Sequence, residues 1–490
     1  MTRAARIFWV VAAGVLLLEL AWIIALPAFR GLDEFTHVFR ADSVAHGHIL
    51  NPPPQPDEHG SLVPVRPGVA SAARPQCEAY GYTASSECQP VERLADGRVL
   101  QASTASSYNP LWYAVVGPAS RLADGAGADF VMRLVSAVSI ALLVGWAAAL
   151  VTRWDRTGWM LSAVLLLLTP TALYSGGVAA PNGVAYGAAL LFWAAVVTLL
   201  ADPDRPPLVA VMTASVLVAH THTTGVVWLA IAAVALVLMQ GPRWWIQWVA
   251  TAPRSRGTAV AVMALASVAA FAWVRVAGTN TLSEADPAAA ALPSPVQLLG
   301  QQLVWFFQTV GAFPERSTPA PLVVYALWLS PLLLLLVIGA RQADPRARRG
   351  LVWLTGCWVV VPMVLTLISY RSLSFAWQGR YALPLVDGIV LLAAWSVTRS
   401  ARVPEARVRL VVLMTTVAHA WSVVTVTRSE ADRGLGYAVA DHLPHTDLLV
   451  LGLTMTGGLL LLLAGQTGDP GQPEAGWGGR RQPADDTVSA

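Results

Sequence analysis

The chain has 490 residues, of which 55% are hydrophobic and only 12% are charged, and its formal net charge is +3. Soluble domains carry about twice that share of charged residues, so the composition excludes a soluble globular protein. The basic residues are scattered over short loops, which excludes nucleic acid as a partner. Apolar runs of about 20 residues, the length that crosses a bilayer, recur along the chain. Together these features predict an all-α polytopic membrane protein.

The apolar runs predict a single transmembrane domain over residues 1–464 with about twelve helices. The predicted helices lie at 6–27, 130–152, 158–175, 182–200, two within 207–240, 258–277, 320–339, 351–369, 381–398, 408–427 and 447–464. The run 207–240 is divided because one helix of that length, about 50 Å, would exceed the bilayer. The sequence HTHTTG at 220–225 is the predicted turn. Residues 465–490 are rich in Gly, Pro and charge, which predicts a disordered cytoplasmic tail.

The arginines predict the orientation of this bundle. Loops assigned to the inside hold several arginines each, such as Arg243, Arg254 and Arg256, whereas short loops assigned to the outside hold one or two. The positive-inside rule then predicts both termini in the cytoplasm and the long first loop, residues 28–129, outside. We expect the membrane to be the plasma membrane. Nearly every unusual polar cluster falls on that outer side, so we expect any functional site to be extracytoplasmic.

An acidic corner follows the first helix. Asp33 and Glu34 come directly after the apolar run, and His37 and Arg40 follow them. A carboxylate here could deprotonate an acceptor hydroxyl. It could also hold a divalent cation, Mg²⁺ or Mn²⁺, against a substrate phosphate. The competing interpretation is a first helical turn whose acids are favoured by the helix dipole, with His37 and Arg40 either binding phosphate or pairing with the carboxylates.

Two further outer segments carry polar or aromatic side chains. Residues 106–122 are aromatic but interrupted by Pro and Gly, which predicts an interfacial helix with Tyr108 at headgroup level or a segment packed on the bundle. His220 and His222 in the HTHTTG turn are separated by about 200° on a regular helix, so they could share a metal only if the turn is unwound. We expect them to act as separate hydrogen-bonding groups that can contact a substrate.

The segment FAWQGRY at 375–381 lies between two predicted helices on the outer side. Arg380, flanked by Gln378 and Tyr381, could hold the phosphate of a lipid carrier through its planar charged fork. The alternative is an interfacial arginine that reaches for lipid headgroups. If both ends of the chain serve one site, the Asp33–Glu34 pair and Arg380 must meet at a single outer pocket.

Cys77 and Cys88 both lie in the long first loop. A disulfide between them is predicted if that loop faces an oxidising compartment. The alternative is a pair of free thiols, because sequence alone cannot give the distance between the two residues.

The order of these motifs resembles a family of predicted bacterial membrane proteins of unknown function, grouped with the GT-C superfamily of polyprenyl-phosphate-sugar glycosyltransferases. The matching residues are Pro27, Gly31, Asp33, Glu34, His37, Arg40, Ala41 and Gly47, then Tyr108, Pro110, Leu111 and Tyr113, then Arg133 and Leu134, and finally Gln378, Gly379, Arg380, Tyr381 and Pro384. The chain departs from the pattern in the turn near residue 181, which reads PNG where such proteins carry an acid.

The resemblance implies a GT-C-like bundle and an inverting transfer from a lipid-phosphate sugar to a cell-envelope acceptor, a glycan or a lipid-linked saccharide. It implies that Asp33 or Glu34 acts as a base or metal anchor and that Arg380 and its neighbours hold the donor phosphate.

Three other functions fit parts of the sequence. A transporter or flippase fits the helix count, although the chain shows no pair of similar halves. A lipid-linked glycan ligase or polymerase would work on the same side but with a diphosphate donor. A non-catalytic envelope scaffold would need neither acid.

Overall fold

The computed structural model describes residues 1–51, 60–81, 85–155, 157–277, 292–314, 318–398 and 405–466. The predicted tail therefore lies almost wholly outside the described residues. The α-helices are α1 (Arg3–Ala25), α2 (Glu34–Ala45), α3 (Pro67–Glu78), α4 (Pro110–Val116), α5 (Ala126–Val151), α6 (Trp159–Leu167), α7 (Pro170–Gly176), α8 (Pro181–Ala201), α9 (Leu208–Thr221), α10 (Gly225–Gln240), α11 (Pro242–Thr251), α12 (Pro253–Val276), α13 (Pro295–Val310), α14 (Leu322–Gln342), α15 (Pro345–Leu373), α16 (Leu383–Val397), α17 (Glu405–Arg433) and α18 (Thr446–Gly465).

The described helices confirm the prediction of an all-α polytopic membrane protein. Nine of them are long and apolar enough to cross a membrane, and two bent helix pairs raise the number to eleven within the part of the chain that is described. The predicted count of about twelve is not reached by these criteria. The run 207–240 does divide at HTHTTG, but its first half, α9, has only 14 residues. At about 1.5 Å per residue this is about 21 Å, shorter than the hydrocarbon core.

Prolines bend two of the spans. The predicted helix 158–175 is the pair α6 and α7, which meet at 62°. Pro170 is the first residue of α7, and the Thr169 hydroxyl accepts a hydrogen bond from the Ala172 amide, so the chain starts a new helix there. The pair α10 and α11 meets at 95°, where Gly241, at φ 82, precedes Pro242.

Small residues allow the central helices to approach closely. A Cβ atom on Gly14 of α1 would come within 3.0 Å of the Gly457 carbonyl oxygen of α18. A Cβ atom on Gly145 of α5 would lie 2.7 Å from the Phe8 carbonyl oxygen of α1. Close backbone contact at glycine is a common way to pack helices in lipid, where the hydrophobic effect gives no drive for association. These contacts fix α1, and hence the loop that follows it, against α5 and α18.

The first loop contains a small sheet that the all-α prediction missed. Its strands are β1 (Ser61–Val65), β2 (Glu92–Arg93) and β3 (Val99–Ser103), which are antiparallel in the order β1-β3-β2. The strands are short, so their alternating pattern is weak in the sequence. Cys77 and Cys88 form a disulfide with a Cα–Cα distance of 5.6 Å, which ties α3 to the chain before β2.

The same loop is fixed both to the bundle and to itself. Gln76 Nε2 of α3 donates to the Leu435 carbonyl oxygen at 2.8 Å, and the Trp273 indole of α12 donates to the Ser107 carbonyl oxygen at 2.9 Å. Arg66 Nε donates to Asp42 Oδ1 of α2 at 2.8 Å. Within the loop, every residue of α2 is buried.

Within 106–122, α4 is followed by a 3₁₀ turn at Gly117–Leu122, and Trp112 and Tyr113 are both buried. One face of 106–122 is therefore packed on the protein, whereas Leu111, Val115 and Leu122 are exposed, so both interpretations of this segment stay predictions.

Candidate functional site

The polar segments that were predicted to lie outside meet at one end of the bundle, which we call the outer end. The Ala28 amide donates to the Tyr437 carbonyl oxygen at 2.8 Å, and Asn109 Nδ2 lies 2.9 Å from His220 Nδ1. Residues from the first loop, the end of α9 and the α17–α18 connection are therefore neighbours. That this end faces away from the cytoplasm remains the prediction of the arginine distribution.

Asp33 and Arg380 form the centre of this end. Arg380 Nη2 lies 3.7 Å from Asp33 Oδ2, and the Tyr80 hydroxyl donates a hydrogen bond to Asp33 Oδ1. The Asp33 side chain is 30% exposed and that of Arg380 is 8% exposed. The two residues come from opposite ends of the chain and meet as the sequence predicted. Asp33 is therefore the more exposed member of the pair.

The backbone of Asp33 is held in an uncommon conformation. Asp33 precedes α2 with φ 59, in the left-handed region, and its own side chain does not cap the helix. For a residue other than glycine such a conformation costs about 1–3 kcal/mol and persists only where the surroundings enforce it. The left-handed turn leaves the Asp33 carboxylate free to bind Tyr80 and Arg380.

Glu34 has a different environment from its neighbour, because it is fully buried and its oxygens are engaged. Arg133 Nε and Nη2 donate to it at 2.8 and 2.6 Å. The amides of Gly31 and Ala179 donate to it at 2.8 and 2.7 Å. Asp129 Oδ2 lies 3.1 Å from Arg133 Nε and completes the buried cluster. With both oxygens bound inside the protein, Glu34 is suited to fix the turn that carries Asp33.

Tight backbone packing explains the glycine before this cluster. A Cβ atom on Gly31 would lie 2.3 Å from Val178 Cγ1 in the α7–α8 turn. This close approach brings the turn at 175–183 against the acidic corner, where its Ala179 amide donates to Glu34. The PNG sequence that departs from the family pattern lies in the same turn.

We expect Glu34→Gln to destabilise the protein. The substitution removes the negative charge opposite the buried Arg133 guanidinium, and breaking a buried pair by changing one partner costs about 3–5 kcal/mol. The measurement is the thermal unfolding midpoint of the purified protein in detergent. Glu78→Gln is the matched control, because the Arg74–Glu78 pair in α3 is exposed and such pairs contribute about 0–1 kcal/mol. Equal midpoints for the two variants would contradict a supporting role for Glu34.

His37 lies near the Asp33–Arg380 pair, but its imidazole carries no positive charge that could attract a phosphate. Its Nδ1 is 2.7 Å from the Tyr113 hydroxyl, and its ring centroid is 5.5 Å from that of Tyr108. Burial, and next the positive charge of Arg380, lower the pKa of His37 to about 3. The imidazole is therefore neutral near pH 7 and acts as a hydrogen-bonding group beside Tyr108.

Arg40 binds backbone carbonyls. Its Nη1 donates to the His48 carbonyl oxygen at 3.2 Å, and its Nη2 donates to those of Ile49 and Tyr108 at 2.7 and 3.2 Å. Burial lowers the pKa of Arg40 to about 10, so the group remains charged near pH 7. These contacts indicate that Arg40 fastens residues 48–49 to Tyr108. The Arg40 side chain is fully buried and makes no ion pair with a carboxylate among the described residues.

Arg380 is placed by a helix that the sequence analysis did not predict. The Gly379 amide donates to Gln308 Oε1 of α13 at 2.9 Å. A Cβ atom on Gly379 would lie 2.0 Å from the Trp305 carbonyl oxygen, so only glycine fits. The Arg380 guanidinium also lies 5.4 Å from the ring centroid of Tyr381. The sequence Gln-Gly-Arg-Tyr thus fixes one guanidinium between α13 and the acidic corner.

A small cavity opens beside Arg380. Leu32, Tyr174 and Gln378 are among the residues that line it. Arg380 Nε and Gln378 Oε1 are buried and have no hydrogen-bond partner among the described residues. Buried polar atoms without partners are rare in native structures and call for a ligand or water. The cavity has a volume of about 10 Å³, which is room for about one water molecule.

The HTHTTG turn lies on the other side of the Asp33–Arg380 pair. The His222 ring centroid lies 4.9 Å from that of Tyr381, and burial, followed by the charge of Arg380, lowers the pKa of His222 to about 4. His220 instead faces Asn109. The two histidine rings thus have different neighbours. Among the described residues, no group of three or more His, Cys, Asp or Glu side chains is arranged to hold a metal ion.

Sequence analysis missed Tyr80 and Gln308. Each is an ordinary polar residue in its local sequence, and its part in the site arises only when the first loop and α13 fold onto the bundle. Arg133 did leave a signal, because an arginine inside an apolar run needs a buried partner.

Fold and site together define a polytopic membrane protein with a carboxylate–guanidinium centre at one end of its bundle. Residues 16–389 match a family described as predicted membrane protein (DUF2142). The match covers most of the chain, so the chain belongs to this family, and the predicted resemblance to an uncharacterised membrane-protein family is confirmed.

Among solved structures, the chain is similar to ArnT from Cupriavidus metallidurans in the apo state. The two are 13% identical, the match covers 87% of this chain and 74% of that chain, and the TM-score is 0.40. For the same protein bound to undecaprenyl phosphate, the identity is 16%, the coverages are 87% and 75%, and the TM-score is 0.36. The comparison with curated proteins gave no match.

Proposed function

We propose that this chain is an integral membrane glycosyltransferase of the GT-C type. It would move a sugar from a polyprenyl-phosphate donor to a cell-envelope acceptor on the outer face of the plasma membrane. The observation that carries the proposal is the contact between Asp33 and Arg380, 3.7 Å apart and partly open. Transfer from a lipid phosphate needs a proton acceptor for the attacking hydroxyl and a cation for the leaving phosphate, and this pair supplies both. The sequence motifs that resemble those of GT-C proteins indicate a polyprenyl-phosphate sugar as the donor.

The reaction would proceed as a displacement at the anomeric carbon of the donor sugar. Asp33 accepts the proton of the acceptor hydroxyl while the oxygen of that hydroxyl forms a bond to the anomeric carbon. The bond from that carbon to the phosphate oxygen breaks, the electron pair leaves with polyprenyl phosphate, and the configuration inverts. Arg380 stabilises the phosphate as its negative charge grows.

The resting ion pair couples the two roles. A donor phosphate competes with the Asp33 carboxylate for the Arg380 guanidinium, so donor binding frees the carboxylate to act as a base. Burial and the nearby Asp33 raise the pKa of the Tyr80 hydroxyl. Tyr80 therefore keeps its proton and continues to donate to Asp33, which holds the carboxylate in place.

The site fits a divalent cation poorly. The Glu34 oxygens are engaged by Arg133 and two backbone amides, and Asp33 faces a guanidinium. A Mg²⁺ or Mn²⁺ ion, which the sequence left open, would find one protein carboxylate beside a positive charge. We expect transfer to continue within about twofold when EDTA replaces added Mg²⁺, measured as product formed per minute. A loss of transfer that Mg²⁺ restores would contradict this.

The proposal is tested by supplying each donor class to the purified protein in proteoliposomes. A radiolabelled polyprenyl-phosphate sugar and a polyprenyl-diphosphate saccharide are each offered with envelope glycolipids as acceptors. We expect label to leave the monophosphate donor, with release of polyprenyl phosphate, and no reaction of the diphosphate donor. Use of the diphosphate donor alone would favour a ligase or polymerase. Movement of lipid between leaflets without transfer would favour a flippase.

A further inference from the structure

Tyr80 is held next to Asp33 by the end of α3. The helix ends at Glu78, and the Tyr80 amide donates a hydrogen bond to the Cys77 carbonyl oxygen at 3.1 Å. The centroid of the Tyr80 ring lies 5.6 Å from that of Phe35, and the Tyr80 hydroxyl donates to Asp33 Oδ1. The position of this hydroxyl therefore depends on where Cys77 is fixed.

A disulfide fixes Cys77 to the sheet of the first loop. Cys77 is bonded to Cys88, the last residue of the 3₁₀ turn Ser85–Cys88, and both cysteines are buried. The Gln101 side-chain amide of β3 donates to the Glu87 carbonyl oxygen and so holds this turn on the sheet. The end of α3 is thus connected to β3 through one covalent bond and one hydrogen bond.

The sheet is in turn fixed to the helix that follows Asp33. The hydroxyl of Ser103, the last residue of β3, donates to the Thr36 carbonyl oxygen of α2 at 2.8 Å. The Thr36 hydroxyl donates to the Asp33 carbonyl oxygen at 2.8 Å. These contacts close a ring that runs from Asp33 through α2, β3 and the disulfide to Tyr80, and from Tyr80 back to the Asp33 carboxylate.

This ring holds both partners of the hydrogen bond to the proposed base. The left-handed turn fixes the backbone of Asp33, and the disulfide fixes the segment that carries Tyr80. A catalytic group has to be held within about 0.5 Å of its productive position, and a misplacement of about 1 Å can cost roughly 100-fold in rate. A buried covalent cross-link three residues before Tyr80 is well suited to give that precision.

The residue before Cys77 has a different anchor. Gln76 Nε2 donates to the Leu435 carbonyl oxygen at 2.8 Å, and Arg433 Nη1 donates to Gln76 Oε1 at 2.8 Å. These bonds attach α3 to the α17–α18 connection, so we expect α3 to keep its place in the absence of the disulfide. Loss of the disulfide should then free the segment beyond Cys77, which carries Tyr80, more than the helix itself.

We propose that the Cys77–Cys88 disulfide places the Tyr80 hydroxyl, and that Tyr80 in turn orients the Asp33 carboxylate toward the acceptor. This inference rests on the proposed function for the role of Asp33 as the base. It adds that Cys77, Cys88 and Tyr80 are positioning residues, and that full activity requires the disulfide as well as the charged centre.

The first experiment measures the position of Tyr80 without sugar transfer. Tetranitromethane nitrates tyrosines whose hydroxyl groups are accessible and able to ionise, and mass spectrometry of peptides gives the extent of nitration at each tyrosine. We expect nitration of Tyr80 to rise at least about fivefold in Cys77→Ala/Cys88→Ala, because burial and Asp33 no longer hold its proton. Nitration of Tyr437, which is exposed, should be the same in all variants.

Arg66→Gln is the matched control. Arg66 precedes α3 at its opposite end, where its Nε donates to Asp42 Oδ1 at 2.8 Å. The substitution loosens the start of the same helix and leaves the disulfide intact, so Tyr80 nitration should stay within about twofold of the wild type. Equal nitration of Tyr80 in this control and in the double cysteine variant would contradict a specific role for the disulfide.

A second variant covers the case in which the double cysteine variant does not fold, which its unfolding midpoint shows. Gln101→Leu keeps the disulfide but removes the hydrogen bond that holds Glu87, and with it Cys88, on β3. We expect it to raise Tyr80 nitration in the same direction. Nitration of Tyr80 at the wild-type level in Gln101→Leu would then overturn the inference.

The second experiment is a double-mutant cycle on sugar transfer. Tyr80→Phe and Cys77→Ala/Cys88→Ala should each lower kcat by about 10- to 100-fold, because the carboxylate loses its orientation. The KM for the donor should change less than about twofold, since α13 and not the disulfide holds Arg380. The combined variant should be no slower than Tyr80→Phe alone, because both changes remove the same hydrogen bond.

The outcomes separate this inference from the proposed function. A kcat loss that multiplies with that of Tyr80→Phe would overturn the inference, since the disulfide would then act on stability alone. If the wild type transfers no sugar while Tyr80 nitration rises as expected, the proposed function fails and the disulfide still places Tyr80. If the wild type transfers sugar and the double cysteine variant changes neither nitration nor kcat, the inference fails and the proposed function stands.

Discussion

Asp33→Asn should lower kcat for sugar transfer by about 10²- to 10⁴-fold, the range that a positioned general base contributes. Asparagine keeps the shape of the side chain and can still accept the hydrogen bond from the Tyr80 hydroxyl, but it cannot take a proton from the acceptor. The variant should therefore bind donor and remain folded while transfer stops. The measurement is the initial rate of product formation at saturating donor and acceptor, divided by the concentration of folded protein.

Asp96→Asn is the matched control for this result. Asp96 lies in the same outer loop, is exposed and forms an ion pair with Arg98 two residues away. Its substitution should leave the rate within about twofold, as expected for a surface change. If Asp33→Asn transfers sugar at the rate of Asp96→Asn, Asp33 is not the catalytic base. The interpretation of the acidic corner as part of a non-catalytic scaffold would then be favoured.

Arg380→Gln should lower kcat/KM for the lipid-linked donor by roughly 100-fold, as the loss of a preorganised charged donor at a developing negative charge does. The kcat/KM of Arg380→Lys should lie between those of the wild type and Arg380→Gln, because lysine keeps the charge but lacks the planar guanidinium that binds two phosphate oxygens. Steady-state kinetics with varied donor concentration measure both effects.

Arg371→Gln is the control for the loss of one arginine near the same end of the bundle. Arg371 is exposed in the last turn of α15 and is not among the residues that line the cavity beside Arg380. Its removal should leave kcat/KM within about twofold of the wild type. If Arg371→Gln and Arg380→Gln give the same kinetics, the phosphate is held elsewhere.

The sequence predicted the class of fold because length and polarity dominate folding in a bilayer. An apolar run long enough to span must be helical, since the lipid offers no partner for backbone groups. The sequence analysis did not predict the short sheet of the first loop or the amphipathic α13, because neither has a long apolar run. The break at Pro170 was visible as a proline, but a proline can either kink or end a helix, and packing decides which.

The sequence also predicted that Asp33 and Arg380 meet, but it could not assign different roles to the two adjacent acids. Asp33 and Glu34 are neighbours with the same chemistry, and they differ only in what the fold places beside them. Arg133 and the Ala179 amide engage Glu34, whereas Tyr80 and Arg380 leave Asp33 partly open. Such partners are distant in sequence, so no local pattern reveals them.

A cryo-electron microscopy structure of the protein with bound polyprenyl phosphate would test the proposed site most directly. We predict density for the phosphate within hydrogen-bond distance of the Arg380 guanidinium, with the Asp33 carboxylate facing the position that the sugar would occupy. Phosphate density at the opposite end of the bundle, or an intact Asp33–Arg380 pair with the lipid headgroup bound elsewhere, would contradict it.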